Sequence, residues 1–204
     1  MSDVWPAVHA ERLALVRDLE GIAVERFLTP SLCPVWTVHD VVAHLVDDAT
    51  TTPLRFARGL LATRFDFDAL NAAGVARERR DDPRATVAAL AAAALRTTSA
   101  PAPRATRYVE VVVHGEDVRR PLGLVHTYPP EAVLAALRHQ LRTGVSTGGG
   151  RERAAGVRLV ATDADLAHGT GPEVRGTALA LLLAVSSRPV AADELTGPGT
   201  PLVR

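Results

Sequence analysis

Apolar residues recur at roughly helical spacing through the first two thirds of the chain. Val8, Leu13, Val16, Leu19, Ile22 and Val24, with Glu and Arg between them, predict a long amphipathic helix from Val4 to Phe27. Thr29-Pro30-Ser31-Leu32-Cys33-Pro34 follows as a connector, because two prolines oppose helix continuation. A second helix starts at Val38, where Thr37 is a good N-cap and Asp40 completes a capping-box-like start. Its apolar face takes Val41, Val42 and Leu45. His44 lies on the flank of that face with its ring toward the core, and His39, near the first turn, is expected to face solvent. Thr50-Thr51-Thr52-Pro53 breaks or kinks this helix, and Leu54 to Leu61 resumes it. Arg77 to Arg84 reads as a charged loop, and Ala85 to Leu95 as an Ala- and Leu-rich helix opened by Pro83.

The stretch Tyr108-Val109-Glu110-Val111-Val112-Val113-His114-Gly115-Glu116-Asp117 is ambiguous by itself. Its four valines favour a strand, which would hold Glu110 and His114 about 13 Å apart. On a helix they lie one turn apart on one face, with Cβ atoms ~5–6 Å apart. The elements before it decide the matter. Up to Pro121 there is no hairpin signal and no second strand, so a lone strand would leave its backbone groups unpaired. A helix from Arg107 to Arg120, stopped by Arg119-Arg120-Pro121-Leu122-Gly123, completes an antiparallel four-helix bundle.

After another helix, Glu131 to Arg142, the texture changes across Gly144 to Gly150, the best candidate boundary. Val157 to Ala161 alternates like a strand, Asp163 to Gly171 is turn-rich, Arg175 to Ser187 reads as an apolar helix and Val190 to Leu195 as a short one. The expectation is a mainly α protein: a bundle over residues 1–143 and a small α/β part over residues 151–204.

Composition narrows the function classes. Acidic and basic side chains balance at 23 each, so no net field points to nucleic acid or an anionic membrane. All 23 basic residues are Arg. Without Lys there is no Gly-Lys-Ser/Thr phosphate loop and no Schiff-base chemistry, and the bias suggests a high-GC, actinobacterial genome. The single Cys33 excludes an internal disulfide. The stretch with Asp3 and Glu11 lacks the basic, apolar and small-residue regions expected of a signal peptide, and the longest apolar run, Thr177 to Val185, is under half the ~20 residues a membrane span needs. A cytoplasmic protein, monomeric or homodimeric, is expected.

Three ionisable groups project from apolar faces into the bundle interior: His44, Glu110 and His114. Such groups are costly to bury unless paired or metal-bound. Two imidazoles and one carboxylate with open positions are the pattern of a catalytic Zn²⁺ or similar divalent ion. His9, His39, His126, His139 and His168 have no partner at ligand spacing and are expected at the surface, while Trp36 is expected to pack the start of the second helix. Gly169-Thr170-Gly171 lacks the preceding strand a dinucleotide site needs.

Two motifs carry a resemblance. Leu32-Cys33-Pro34-Val35-Trp36-Thr37-Val38-His39-Asp40-Val41-Val42-Ala43-His44-Leu45 and Glu110-Val111-Val112-Val113-His114-Gly115-Glu116-Asp117 are similar to the mycothiol-dependent maleylpyruvate isomerase-like proteins. These belong to the DinB/YfiT-like four-helix bundle superfamily. Gly171 to Gly176, with the apolar run and Ser187-Arg188 after it, is similar to the sterol-carrier-like C-terminal domain many members carry. The resemblance implies His44, Glu110 and His114 as ligands of the ion. It implies mycothiol as the thiol coenzyme or co-substrate, and a small unsaturated acid or electrophile as its partner.

A metal-activated thiolate would add reversibly to a cis double bond and let it rotate before leaving, or attack an electrophile and stay attached. The resemblance also implies a catalytic Arg that binds substrate carboxylate in the C-terminal part, with Arg188 the choice and Arg175 the reserve. The alternative from another class is a non-catalytic metal- or small-ligand-binding module. Val35 stands where the family usually has Gly, and a local backbone change is expected there. Cys33 is read as a small buried residue rather than a nucleophile. Asp117 is read either as a partner orienting an imidazole or as a solvated helix-end charge.

Overall fold

The computed structural model describes residues 3–203. The chain divides into two compact units, residues 1–127 and 128–204. In the first unit, α1 (Trp5–Leu19), α2 (Val38–Thr50), α5 (Pro83–Ala93) and α6 (Thr106–Arg119) form the antiparallel four-helix bundle. Both α1 and α2 pack against α5 and α6. Two further helices, α3 (Pro53–Ala62) and α4 (Phe67–Glu78), form an outer pair attached through α4 to α2.

Helix α2 organises this unit because it is buried nearly all round. Val38, Val41, Val42, Leu45, Val46 and Ala49 are all buried. The valines and Leu45 join Leu15, Leu19, Phe27, Leu90, Val118 and Leu122 in one core. Each large aliphatic side chain so buried contributes about 1.5–3 kcal/mol. The predicted start is present as a full capping box: the Thr37 side chain accepts from Asp40 N–H, and the Asp40 carboxylate accepts from Thr37 N–H at 2.9 Å.

The first helix is shorter than expected. It stops at Leu19, and a 3₁₀ turn over Val24–Leu28 follows. Gly21 weakens helix continuation, and the change of direction lets Phe27 bury completely in the core. Helix α4 went unpredicted because its inward face is built of Gly74, Val75 and Glu78, which give almost no apolar period. The charged loop expected from Arg77 is therefore partly helix. Helix α6 ends at the predicted stop, where Gly123 takes φ +66 and its N–H donates to the Arg120 carbonyl at 3.0 Å.

The second unit opens with α7 (Pro130–Arg142). It continues with β1 (Arg158–Ala161), β2 (Ala167–Gly169), β3 (Glu173–Gly176), α8 (Ala178–Val185) and β4 (Leu195–Thr196). The sheet order is β2-β1-β3-β4, with β1 parallel to β3 and the outer pairs antiparallel. Helix α8 packs on β1, β3 and α7. That packing places α7 in the second unit, so the division falls before this helix, whereas the sequence placed the boundary after it. Glu173–Gly176 pairs with β1, so the apolar helix starts at Ala178, later than expected, and Leu195 lies in a strand instead of ending a helix. Among the described residues, no helix is long and apolar enough to cross a membrane.

Candidate metal centre

His44, Glu110 and His114 each bring one ligand atom to a common point, all within 4.8 Å of one another. His44 Nε2 lies 3.1 Å from Glu110 Oε2, and His114 Nε2 lies 3.5 Å from the same oxygen. The two imidazoles meet edge to face with centroids 4.7 Å apart. Helix periodicity puts Glu110 and His114 on one face of α6 one turn apart, and α2 supplies His44 from across the interface. An ion with N and O ligands at ~2.0–2.2 Å needs donors about 3.3–3.6 Å apart at tetrahedral corners. Both separations from Glu110 lie close to that edge and all three donors lie within 4.8 Å of one another, a set that could hold a divalent ion.

The surroundings set protonation and orientation. Burial disfavours charge on Glu110, but the hydrogen bond from His44 and the charges of His114, His44 and Arg107 outweigh it. The carboxyl is held well below the ordinary range. Burial likewise opposes charge on His44, yet Glu110, with Asp48 and Asp47 behind it, raises its pKa above the ordinary value. His114 Nδ1 sits 2.9 Å from Asp117 Oδ2, and that carboxylate is fully buried. Of the two sequence readings of Asp117, the solvated helix end is ruled out. His44 Nδ1, by contrast, is buried with no hydrogen-bond partner.

Trp36 covers this cluster, its ring centroid 5.0 Å from that of His44 and 6.4 Å from that of His114. It reaches there from a tight turn in which the Ser31 hydroxyl bridges the Cys33 N–H and the Trp36 carbonyl. Val35 forms the tip of that turn with φ +64 and its side chain fully in solvent. The chain holds a left-handed conformation there that favours Gly, and it bears the strain of a β-branched residue in it. Cys33 is half-buried against the core, consistent with a packing role.

A second layer escaped the sequence reading. One turn beyond His44 on α2 lies Asp48, and one turn before Glu110 on α6 lies Arg107; the two form an ion pair. Arg12 of α1 joins them at 3.1 Å from Asp48, and all three side chains are more than nine-tenths buried. The offsets of four and three residues from the candidate ligands were the available signal.

Of the five other histidines, His168 is exposed, His9, His126 and His139 are partly exposed, and His39 is buried against the expectation. His39 is buried against Thr86, 2.8 Å away, because α5 packs over the face expected to be open. His126 pairs with the buried Glu11 at 2.8 Å. His9 stacks on Trp5 with centroids 5.8 Å apart, and His139 is half-buried on α7. In the second unit, Arg188 is half-buried in the turn after α8 and donates to the Ser186 carbonyl at 2.7 Å. Arg175 is exposed on β3 and pairs with Glu173 at 2.8 Å.

Residues 8–105 match the family described as the mycothiol maleylpyruvate isomerase N-terminal domain, a span that includes Trp36 and His44 and ends before Glu110 and His114. Among solved structures, the mycothiol-dependent maleylpyruvate isomerase is similar at a TM-score of 0.59 and 20% identity, over 97% of this chain and 96% of that one. A histidine-to-alanine mutant of the same enzyme gives 0.60 and 19% with the same coverage. At such identities the likeness shows a shared fold. No curated protein sequence matches. Within its first unit, the chain therefore carries a match to the mycothiol maleylpyruvate isomerase N-terminal domain, and as a whole it shares the fold of that enzyme.

Proposed function

We propose that the protein is a metal-dependent enzyme that uses mycothiol, either to isomerise a small cis-unsaturated acid or to transfer the thiol to an electrophile. The observation that carries this reading is the convergence of His44 Nε2, Glu110 Oε2 and His114 Nε2 on one point beneath Trp36. These three residues would hold the ion, Zn²⁺ being the best match to an N, N, O donor set. A bound divalent ion supplies Lewis acidity that keeps a low-molecular-weight thiol ionised near neutral pH.

The chain's own residues prepare for that chemistry. Glu110 stays ionised through the neutral range, because His44, His114 and Arg107 favour its charged form. Asp117 fixes the ring of His114 so that Nε2 faces the cluster. Trp36 limits water over both imidazoles. In the second unit, Arg188 is the proposed partner of a substrate carboxylate, through the bidentate geometry of its guanidinium.

The test is Co²⁺ loading followed by titration with mycothiol. A thiolate-to-cobalt absorption band is expected, lost together with metal binding in His44→Ala and in Glu110→Gln. A protein that binds cobalt and shows no such band is a metal- or ligand-binding module, not a thiol enzyme. Turnover of maleylpyruvate, against thiol consumption with a haloarene, then separates isomerase from transferase.

A further inference from the structure

Helix α7 carries two guanidinium groups one turn apart, Arg138 and Arg142, facing a cleft against the β1–β2 connection and the edge strand β2. The cleft has a volume of about 420 Å³ and is floored by Leu141 and Leu166. His168 of β2 lines it as well. This volume lies within the ~300–1,000 Å³ range of small-molecule sites.

The charges here are unmatched. Elsewhere in this unit Arg151 pairs with Glu152, and Arg158 and Arg175 both pair with Glu173. Among the described residues, neither Arg138 nor Arg142 forms an ion pair, and the hydrogen bond from Arg138 goes to the Asp165 backbone carbonyl at 3.3 Å. Asp165 is the one carboxylate on the lining. Like charges at i and i+4 repel on a helix, so an uncompensated pair is a cost in the free protein. The helix dipole favours a cation in the last turn, which accounts for Arg142. It does not account for Arg138 a turn earlier or for His168 on a different element.

We propose that this cleft binds a small organic dianion, a dicarboxylate or an organic phosphate, held by Arg138 and Arg142 with His168 as a further donor. Guanidinium forks match planar carboxylates and phosphate oxygens bidentately. The apolar floor of Leu141 and Leu166 suits a carbon skeleton better than a bare inorganic ion. The site lies wholly within the second unit and stands independently of the candidate metal centre.

The test is titration of the full chain with succinate, glycerol phosphate and inorganic phosphate, followed by calorimetry and by amide shifts. Saturable binding of succinate or glycerol phosphate is expected, with shifts at Leu166 to His168 and at the end of α7. Arg138→Gln and Arg142→Gln are each expected to weaken it at least tenfold. Arg151→Gln, which removes an exposed paired charge, is expected to leave it unchanged, and unaltered melting temperatures exclude misfolding. Succinate and glycerol phosphate report which head group is preferred, and either result supports the site. Binding of inorganic phosphate alone overturns the organic ligand. Absence of binding at millimolar concentration, or binding that survives both Arg substitutions, overturns the site.

Discussion

His114 and Asp117 lie one turn apart on α6, with the imidazole Nδ1 2.9 Å from a fully buried carboxylate oxygen. The contact fixes the ring so that Nε2 points at Glu110. Removing such a partner costs metal affinity about 10–100-fold in sites of this kind. Asp117→Asn is therefore expected to weaken Zn²⁺ binding within that range while His44 and Glu110 remain in place. Competition against a chromophoric chelator measures it, and unchanged affinity would show that the contact does not orient the ring.

Asp48 sits between Arg12 and Arg107 in the bundle interior. Removing one member of a buried charge network leaves the others uncompensated, at a cost of about 3–5 kcal/mol. Asp48→Ala is expected to lower the urea midpoint by a corresponding amount. A change below about 1 kcal/mol, the level of an exposed pair, would mean that water already reaches this layer.

Val35 holds φ +64 with its side chain in solvent, so the residue gains no packing for its strain. A left-handed conformation costs an L-residue roughly 1–2 kcal/mol, and Gly returns about 0.4–1 kcal/mol of that as unfolded-state entropy. Val35→Gly is expected to raise stability by about 0.5–1 kcal/mol, read as a higher melting temperature with unchanged metal content. A loss of stability would show that the turn is relaxed with Val in place.

Burial, reinforced by the charge of Arg79, holds the pKa of His39 below its ordinary value. The unfolded chain therefore takes up this proton first as pH falls. The contribution is complete above about pH 6.5, the unfolded value, and declines below it toward the depressed folded pKa. His39→Gln, which keeps a polar partner for Thr86, is expected to flatten the pH dependence of stability below about pH 6.5. Parallel profiles for the two proteins would assign that slope to other groups.

What the sequence disclosed and what it withheld follow from the range of the forces involved. The start of α2 was readable because Thr37 and Asp40 satisfy each other's N–H groups within one turn. Glu110 and His114 were readable as neighbours once α6 was taken as helix, and His44 because its ring faces inward among valines. Burial of His39 depends on α5, more than forty residues away in sequence, and nothing in its own turn announces it. Strand β3 owes its form to pairing with β1, so its Arg and Gly looked equally suited to the start of a helix. Helix α4 meets α2 through Gly74, where a Cβ would come within 2.8 Å of the Asp47 carboxyl carbon. Close approach through a missing side chain leaves no apolar mark to detect.

All three donors come from residues before Thr127, so their arrangement is set entirely within the first unit. A change confined to residues 128–204 would leave all three donor side chains untouched.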